Sequence, residues 1–510
     1  MRKTSLLSLA LITLPMPVLA QQEVADEGQA ELAVPPEIDA LEDMRFYQKR
    51  SQDVEDGGPK INAVIAYNDK APLQAEQAAN AGLYLGGRTV LVKDNIETSE
   101  LPTTAGSLAL AANNTGRDAP LIANLRANGG VVLGKTNLSE WANIRSTNST
   151  SGWSAVGGQT KNPHGLDRNP CGSSSGSGAA VAANLAWAAI GTETDGSVTC
   201  PASVNGIVGF KPTVGMVSRT YVVPISHSQD TAGPMARSVF DAAMLLNAIA
   251  GSDPLDAATA EADARKTDFV AGLDTASFKG MRIGVLRKQA GNRADVTGVF
   301  DQALADIRAA GAEIVEIEYE SPNEMGRDEY TVLLYELRED LGKYLAGSPA
   351  NIPVRSLADV IAFNTENADT EMRFFGQEIF LLAEETTDRQ EYEAARANSL
   401  KLAGTEGIDK LLAEHNVDVL VAPTTGPAWP IDLIYGDNYP GSIGAGNLAA
   451  IAGYPHITVP MGDIEGLPIG LSIMGAKWND HAILQAGAAY ERARTAKLPT
   501  PDLQNMQLVD

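Results

Sequence analysis

Asn169–Phe210 reads NPCGSSSGSGAAVAANLAWAAIGTETDGSVTCPASVNGIVGF. A run of Gly and Ser leads into a tight Ala/Val-rich segment, and a second Gly/Ser/Thr loop follows. A flexible linker accounts for the first run alone, because linkers are not followed at once by a compact apolar segment. Small residues in both loops let backbones approach closely and leave amide N–H groups free to point at a ligand. The stretch therefore reads as two site-forming loops joined by buried structure.

Outward from it, short β-rich runs alternate with longer helical patterns. Strands are expected at Ile61–Ala66, Thr89–Val92, Val131–Leu133, Met281–Leu286, Glu313–Ile317, Val417–Val421, Ile457–Val459 and Ile469–Met474. Helices are expected at Pro120–Asn128, Arg237–Ala250, Val299–Ala309 and His481–Ala496. Such alternation argues for an α/β fold, a single large domain with a central mixed sheet covered by helices on both faces. That domain is expected over 51–500, with 323–415, long, charged and strand-poor, as a helical insertion and 501–510 as a tail. No internal repeat and no Gly/Ser linker marks a boundary within it. Residues 21–50 read as an acidic leader, closed by Pro35-Pro36, and a helical segment near 38–50.

Residues 1–20 read as a signal peptide. Arg2 and Lys3 give a basic start, Leu6 to Leu14 an apolar run, and Val18-Leu19-Ala20 a small-residue cleavage site before Gln21. The run falls well below the ~20 residues needed to span a bilayer. A periplasmic or secreted protein is expected, with no membrane association after cleavage.

Composition narrows the function classes. Of 510 residues, 44% are hydrophobic and 20% charged, enough for a large core and too few charges for wholesale disorder. Lys plus Arg number 39 against 64 Asp plus Glu, a formal charge of −25 that repels phosphate backbones, so no nucleic-acid partner is expected. Two cysteines and five scattered histidines form no zinc pattern, and neither a metal nor a cofactor is expected. Cys171 and Cys200 are expected to be buried free thiols, with pairing in an oxidising compartment as the alternative.

Two motifs mislead. Gly129–Thr136 (GGVVLGKT) satisfies the phosphate-loop pattern, but its Val-Val-Leu interior reads as a strand and no helix opens at Lys135. Gly172–Gly176 (GSSSG) satisfies the nucleophile-elbow pattern, yet a loop with Pro163 and Pro170 precedes it where the elbow needs a strand. No Lys has a Ser three residues before it, which removes the Ser-x-x-Lys pair.

The two loops resemble the signature of the amidase signature family. Ser173 in CGSSSGSG matches its cis serine, Ser197 in GTETDGS its nucleophile, and Lys93 in TVLVKDN its lysine. LPTTAGS (101–107), VLGKTNLSEWAN (132–143), GGQTKNP (157–163) and DTAGPMARS (230–238) match further, and the resemblance spans roughly residues 60–495. Within the family the chain is most similar to peptide amidases. It shares with them Cys171, Thr199-Cys200 where most members carry Arg, SLADVIAFN (356–364) and VAPTTGPAWP (421–430). It departs from the family at Gly87-Arg88-Thr89, where Gly-Ile-Pro is usual.

The resemblance implies a catalytic triad of Lys93, Ser173 and Ser197. It implies an oxyanion hole from the backbone amides of Thr194, Asp195, Gly196 and Ser197, and a supporting role for Ser174; Ser175 is read as structural. A Ser hydroxyl needs an adjacent base, and Lys93 accepts a proton only when neutral. Following Val90-Leu91-Val92, it is expected to be buried, which disfavours the ammonium. The expected reaction is hydrolysis of a carboxamide to acid and ammonia through an acyl-enzyme at Ser197. The substrate is expected to be the C-terminal amide of a peptide or another small amide, and the protein a monomer. A tRNA-dependent amidotransferase of the A type shares this triad, but the export signal and acidic surface argue against it. A binding protein that lost catalysis would not be expected to keep all three triad residues.

Overall fold

The computed structural model describes Met1, residues 38–439 and residues 443–503; the expected signal peptide beyond Met1, most of the expected acidic leader and the end of the expected tail lie outside the described residues. The described residues from 38 onward form one compact unit. In chain order its strands are β1 (Val64–Tyr67), β2 (Thr89–Lys93), β3 (Val131–Thr136), β4 (Trp153–Ser154), β5 (Gly158–Gln159), β6 (Ala188–Glu193), β7 (Val208–Lys211), β8 (Thr231–Ala236), β9 (Arg282–Leu286), β10 (Glu313–Ile317), β11 (Val419–Pro423), β12 (His456–Ile464) and β13 (Leu467–Met474). β4 and β5 form a small ribbon. The other 11 strands make one sheet in the order β1-β3-β2-β6-β8-β7-β12-β13-β11-β9-β10.

The sheet is mixed. β3, β2 and β6 run parallel to one another, as do β11, β9 and β10, while the pairs from β6 through β8, β7, β12 and β13 to β11 are antiparallel. Every residue of β2, β3, β6, β7, β8 and β11 is buried, so both faces of the sheet are covered. Helices Val239–Ile249, Ala294–Ala309 and Asp480–Ala493 supply much of that cover, packing on β8 and β12. Residues 323–415 hold a series of helices, the longest being Asn323–Gly347.

Three central strands, β6, β7 and β8, lie where no strand is expected from sequence. Their sequences, AAIGTE, VGFK and TAGPMA, lack the β-branched signal, and Pro234 sits opposite Ile190 inside the sheet. The small residues serve close packing. A Cβ on Gly233 would stand 2.1 Å from the Phe210 carbonyl oxygen. Likewise, a Cβ on Gly176 would stand 2.3 Å from the Ala63 carbonyl, so the helix Ser175–Ala182 rests directly on backbone. This helix and β6 hold the two loops of the quoted stretch side by side.

Candidate active site

Lys93 is the last residue of β2, fully buried after Val90-Leu91-Val92. Its Nζ lies 2.8 Å from Ser173 Oγ, 2.8 Å from Thr192 Oγ1 and 3.1 Å from the Thr192 carbonyl oxygen. Burial pushes Lys93 down to about 7, against the opposing pull of Asp230 and Glu193. A neutral amine has two N–H groups and one lone pair. Thr192 offers two acceptors, which leaves the lone pair for the Ser173 hydroxyl proton.

Ser173 follows a cis peptide bond after Gly172. The two loops meet where the Ser174 amide donates to the Ser197 carbonyl at 3.2 Å. Ser174 also fastens the end of β6. Its hydroxyl donates to the Thr192 carbonyl at 3.1 Å and accepts from the Thr192 amide at 3.2 Å. Ser197 is 9% exposed, and its hydroxyl makes no hydrogen bond among the described residues. The amides of Asp195, Gly196 and Ser197 are also unspent there, with Gly196 at φ +77° turning the loop. Thr194 is held from behind: its hydroxyl donates to Asp230 at 2.6 Å and its carbonyl accepts from Gln229 at 3.3 Å. Glu193 accepts from the Val198 and Thr199 amides at 2.8 and 2.9 Å and closes the loop around Ser197.

These contacts join Lys93, Ser173 and Ser174 around Thr192 and fasten the loop of Ser197 to them, while the Ser197 hydroxyl and the amides of Asp195 and Gly196 take no part in them. Ser175 is structural: its hydroxyl donates to the Cys171 carbonyl at 2.6 Å and lies 3.4 Å from Ser139 Oγ. Lys135, the lysine of the misleading phosphate-loop pattern, is buried in β3 and pairs with Asp94 at 3.0 Å.

The chain matches the amidase family model over residues 44–484. It belongs to the amidase family. A probable amidase of Arabidopsis thaliana is 41% identical over 460 residues, covering 86% of this chain and 85% of that protein. Among solved structures, the native peptide amidase of Stenotrophomonas maltophilia is 46% identical with a TM-score of 0.87, covering 92% of this chain and 96% of that one. The A component of a glutamyl-tRNA(Gln) amidotransferase from Acinetobacter baumannii is 34% identical over 455 residues, covering 85% of this chain and 89% of that protein. This amidase is a hydrolase acting on amide C–N bonds.

In this amidase the loops open onto a cleft of about 490 Å³, lined by Gly172, Asp195, Gly196, Trp429 and Tyr439 among others. Cys171 and Cys200 also line it, and they are joined by a disulfide. This corrects the expectation of free thiols. The loops of Ser173 and Ser197 lie against each other, which sets the two Cα atoms 6.0 Å apart, within bonding range. A sequence separation of 29 closes a loop whose entropy stabilises the fold by about 3–4 kcal/mol. Replacing both cysteines by Ala is expected to lower stability by about 2–4 kcal/mol in chemical denaturation. Thiol reduction of the wild type should give the same shift, and unchanged midpoints would refute the bridge.

Sequence reasoning missed Thr192, Glu193 and Asp230. Burial raises Asp230 to about 6, opposed by hydrogen bonds from Thr194 and the amides of Ser226 and Ile225. All three stand inside matched motifs, but only the folded contacts reveal what each one holds.

Proposed function

We propose that this amidase is an exported hydrolase of the C-terminal carboxamide of peptides, acting through a Ser–cisSer–Lys triad. The observation that carries the mechanism is the buried Lys93 amine, directed by Thr192 onto Ser173, with the loop of Ser197 fastened to that of Ser173 through the Ser174 amide. Ser197 attacks the carbonyl carbon, and its proton passes through Ser173 to Lys93. The unspent amides of the 194–197 loop receive the oxyanion. Such donors contribute about 3–4 kcal/mol each when well aimed. Collapse of the tetrahedral adduct releases ammonia, protonated from Lys93, and water then enters by the same route to free the acid.

The peptide-amide reading is supported by the similarity to the Stenotrophomonas maltophilia peptide amidase. A second peptide amidase structure, in complex with the competitive inhibitor chymostatin, is 47% identical, with a TM-score of 0.87. Export is supported by the Arg2-Lys3 start, the apolar run and the Val18-Leu19-Ala20 site, and a disulfide suits an oxidising compartment. The formal charge of −25 disfavours the tRNA-bound alternative.

The test is ammonia release from peptide amides, with the free peptide acid as the second product. Sequencing the mature protein is expected to give Gln21 as its first residue. Ammonia release from aryl or cyclic amides but from no peptide amide would overturn the substrate reading, and a mature protein starting at Met1 the export reading.

A further inference from the structure

The segment ahead of β8 folds into a tight turn that is gripped from two sides. Within it the Gln229 and Asp230 amides donate to the Ser226 carbonyl at 3.3 and 2.9 Å, and the Asp230 carboxyl accepts from the Ile225 and Ser226 amides at 2.8 and 2.9 Å. The inner side holds the catalytic loop. Asp230 accepts from the Thr194 hydroxyl, and Gln229 Nε2 donates both to the Thr194 carbonyl at 3.3 Å and to Glu329 Oε1 at 2.9 Å. The outer side is held by the helix Asn323–Gly347, which presents Glu329, Glu336 and Asp340 on one face. Glu336 is fully buried and accepts from the Ser226 and Ser228 hydroxyls at 2.5 and 2.7 Å, from the Ser228 amide at 3.1 Å and from the Tyr392 hydroxyl at 2.6 Å. Asp340 accepts from the His227 amide at 3.0 Å.

The His227 ring is clasped between the last two of these carboxylates. Its Nδ1 lies 2.7 Å from Asp340 Oδ2 and its Nε2 lies 3.2 Å from Glu336 Oε1. The other neighbour of Nε2, the Tyr392 oxygen at 3.4 Å, has spent its one proton on Glu336. Both ring nitrogens therefore face acceptors, and only the imidazolium has an N–H for each. The Asp340 hydrogen bond raises His227 above its ordinary value, with Glu336 in support and burial and Arg396 opposed. Lys343 Nζ stands 3.3 Å from Asp340 Oδ1 and Arg396 Nε 3.8 Å from Glu336 Oε1, so each carboxylate has a cation at its far side while the ring bridges the two. Arg219 donates to the His227 carbonyl and is paired with Asp256, and Arg117 and Lys477 line the hollows that open beside the ring.

We propose that the His227 imidazolium is a positioning residue for the oxyanion loop, and that turnover falls when the ring loses its proton. The inference rests on the reading of residues 194–197 as that loop. Loss of the proton turns one ring nitrogen into a lone pair facing an acceptor, which loosens the outer grip on the turn. The hydroxyl and carbonyl of Thr194 are tied to the same turn, so the amides that follow lose their aim. Those amides meet a full negative charge in the transition state and not in the bound substrate, so kcat carries the loss and KM does not. Lys93 must be neutral and His227 charged, which gives the pH profile an acid limb from the first and an alkaline limb from the second.

The experiment follows kcat and KM for ammonia release from acetyl-Ala-Phe amide, which carries no titrating group, between about pH 5 and about pH 10. The rate at which a fluorophosphonate labels Ser197 is read alongside, since labelling uses the same donors and needs no amide. In the wild type both rates should fall on the alkaline side of the optimum. His227→Gln should lower kcat at the optimum by about 10²-fold, keep KM within about twofold and erase the alkaline limb, while the acid limb stays. His227→Lys, charged to higher pH, should recover most of the activity and carry the limb upward. A limb unmoved in both variants, or a His227→Gln kcat within about twofold of the wild type, overturns the inference. Should His227→Gln not fold, the limb of His227→Lys decides. If Ser197→Ala is still active, the reading of the loop fails. If Ser197→Ala is inactive and the limb is unmoved, this inference alone fails. If the amide is not hydrolysed but labelling shows the limb and its shift, the peptide-amide reading fails and this inference stands.

Discussion

Ser197→Ala is expected to lower kcat by about 10⁴-fold or more while the protein stays folded. The geometry supports both halves of that expectation. Ser197 Oγ makes no hydrogen bond among the described residues, so its removal costs the fold no hydrogen bond. The loop is held instead by Glu193 on the amides of Val198 and Thr199, and by the Ser174 amide on the Ser197 carbonyl, neither of which uses the hydroxyl. Denaturation midpoints should therefore match the wild type within error. Labelling by a fluorophosphonate should disappear with activity, because the probe needs the same nucleophile. An active Ser197→Ala, with contaminating wild type excluded, refutes the assignment, and so does a wild type that is never labelled.

The sheet and the site were legible from sequence to different depths. β2 and β3 announce themselves because a strand covered on both faces needs an unbroken apolar run, and Val90-Leu91-Val92 and Val131-Val132-Leu133 supply one. β6 and β8 do not, because the helix Ser175–Ala182 packs too closely on β6, and β7 on β8, for bulky side chains. Thus the quoted stretch hides central strands behind Ala and Gly, and β8 beyond it hides behind Gly and Pro. Lys93, Ser173 and Ser197 can be read only because three motifs stand in order along the chain. Their support cannot: Asp230 and Glu329 approach the catalytic loop from distant segments, and nothing in local spacing encodes that approach. The Cys171–Cys200 pairing stands only as the alternative from sequence for the same reason, since two cysteines give no framework until the loops are seen to meet.

Lys93→Arg separates a proton acceptor from a structural cation. Arg keeps the positive charge and much of the length but does not deprotonate in a protein. A lysine that merely fills its place or balances Asp230 and Glu193 would tolerate Arg in part. A lysine that must accept the Ser173 proton would not, and acylation is expected to fall by about 10⁴-fold. The pH profile gives the second handle. Burial brings Lys93 down to about 7, so kcat/KM should fall as pH drops through that value and the amine becomes charged. Asp230 and Glu193 act in the opposite sense, so Asp230→Asn should move this acid limb to still lower pH. Folding carries the same signature. The unfolded chain protonates this lysine near 10.5 and the folded one only near 7, so the cost of burying it is full below pH 7. Stability gains on the order of 5 kcal/mol from this group as pH rises from 7 toward 10.5. The arginine of the Lys93→Arg variant would retain its charge, and with it the burial cost, throughout that window. An active Lys93→Arg with an unchanged acid limb would defeat the Ser–Ser–Lys relay even with Ser197 as nucleophile.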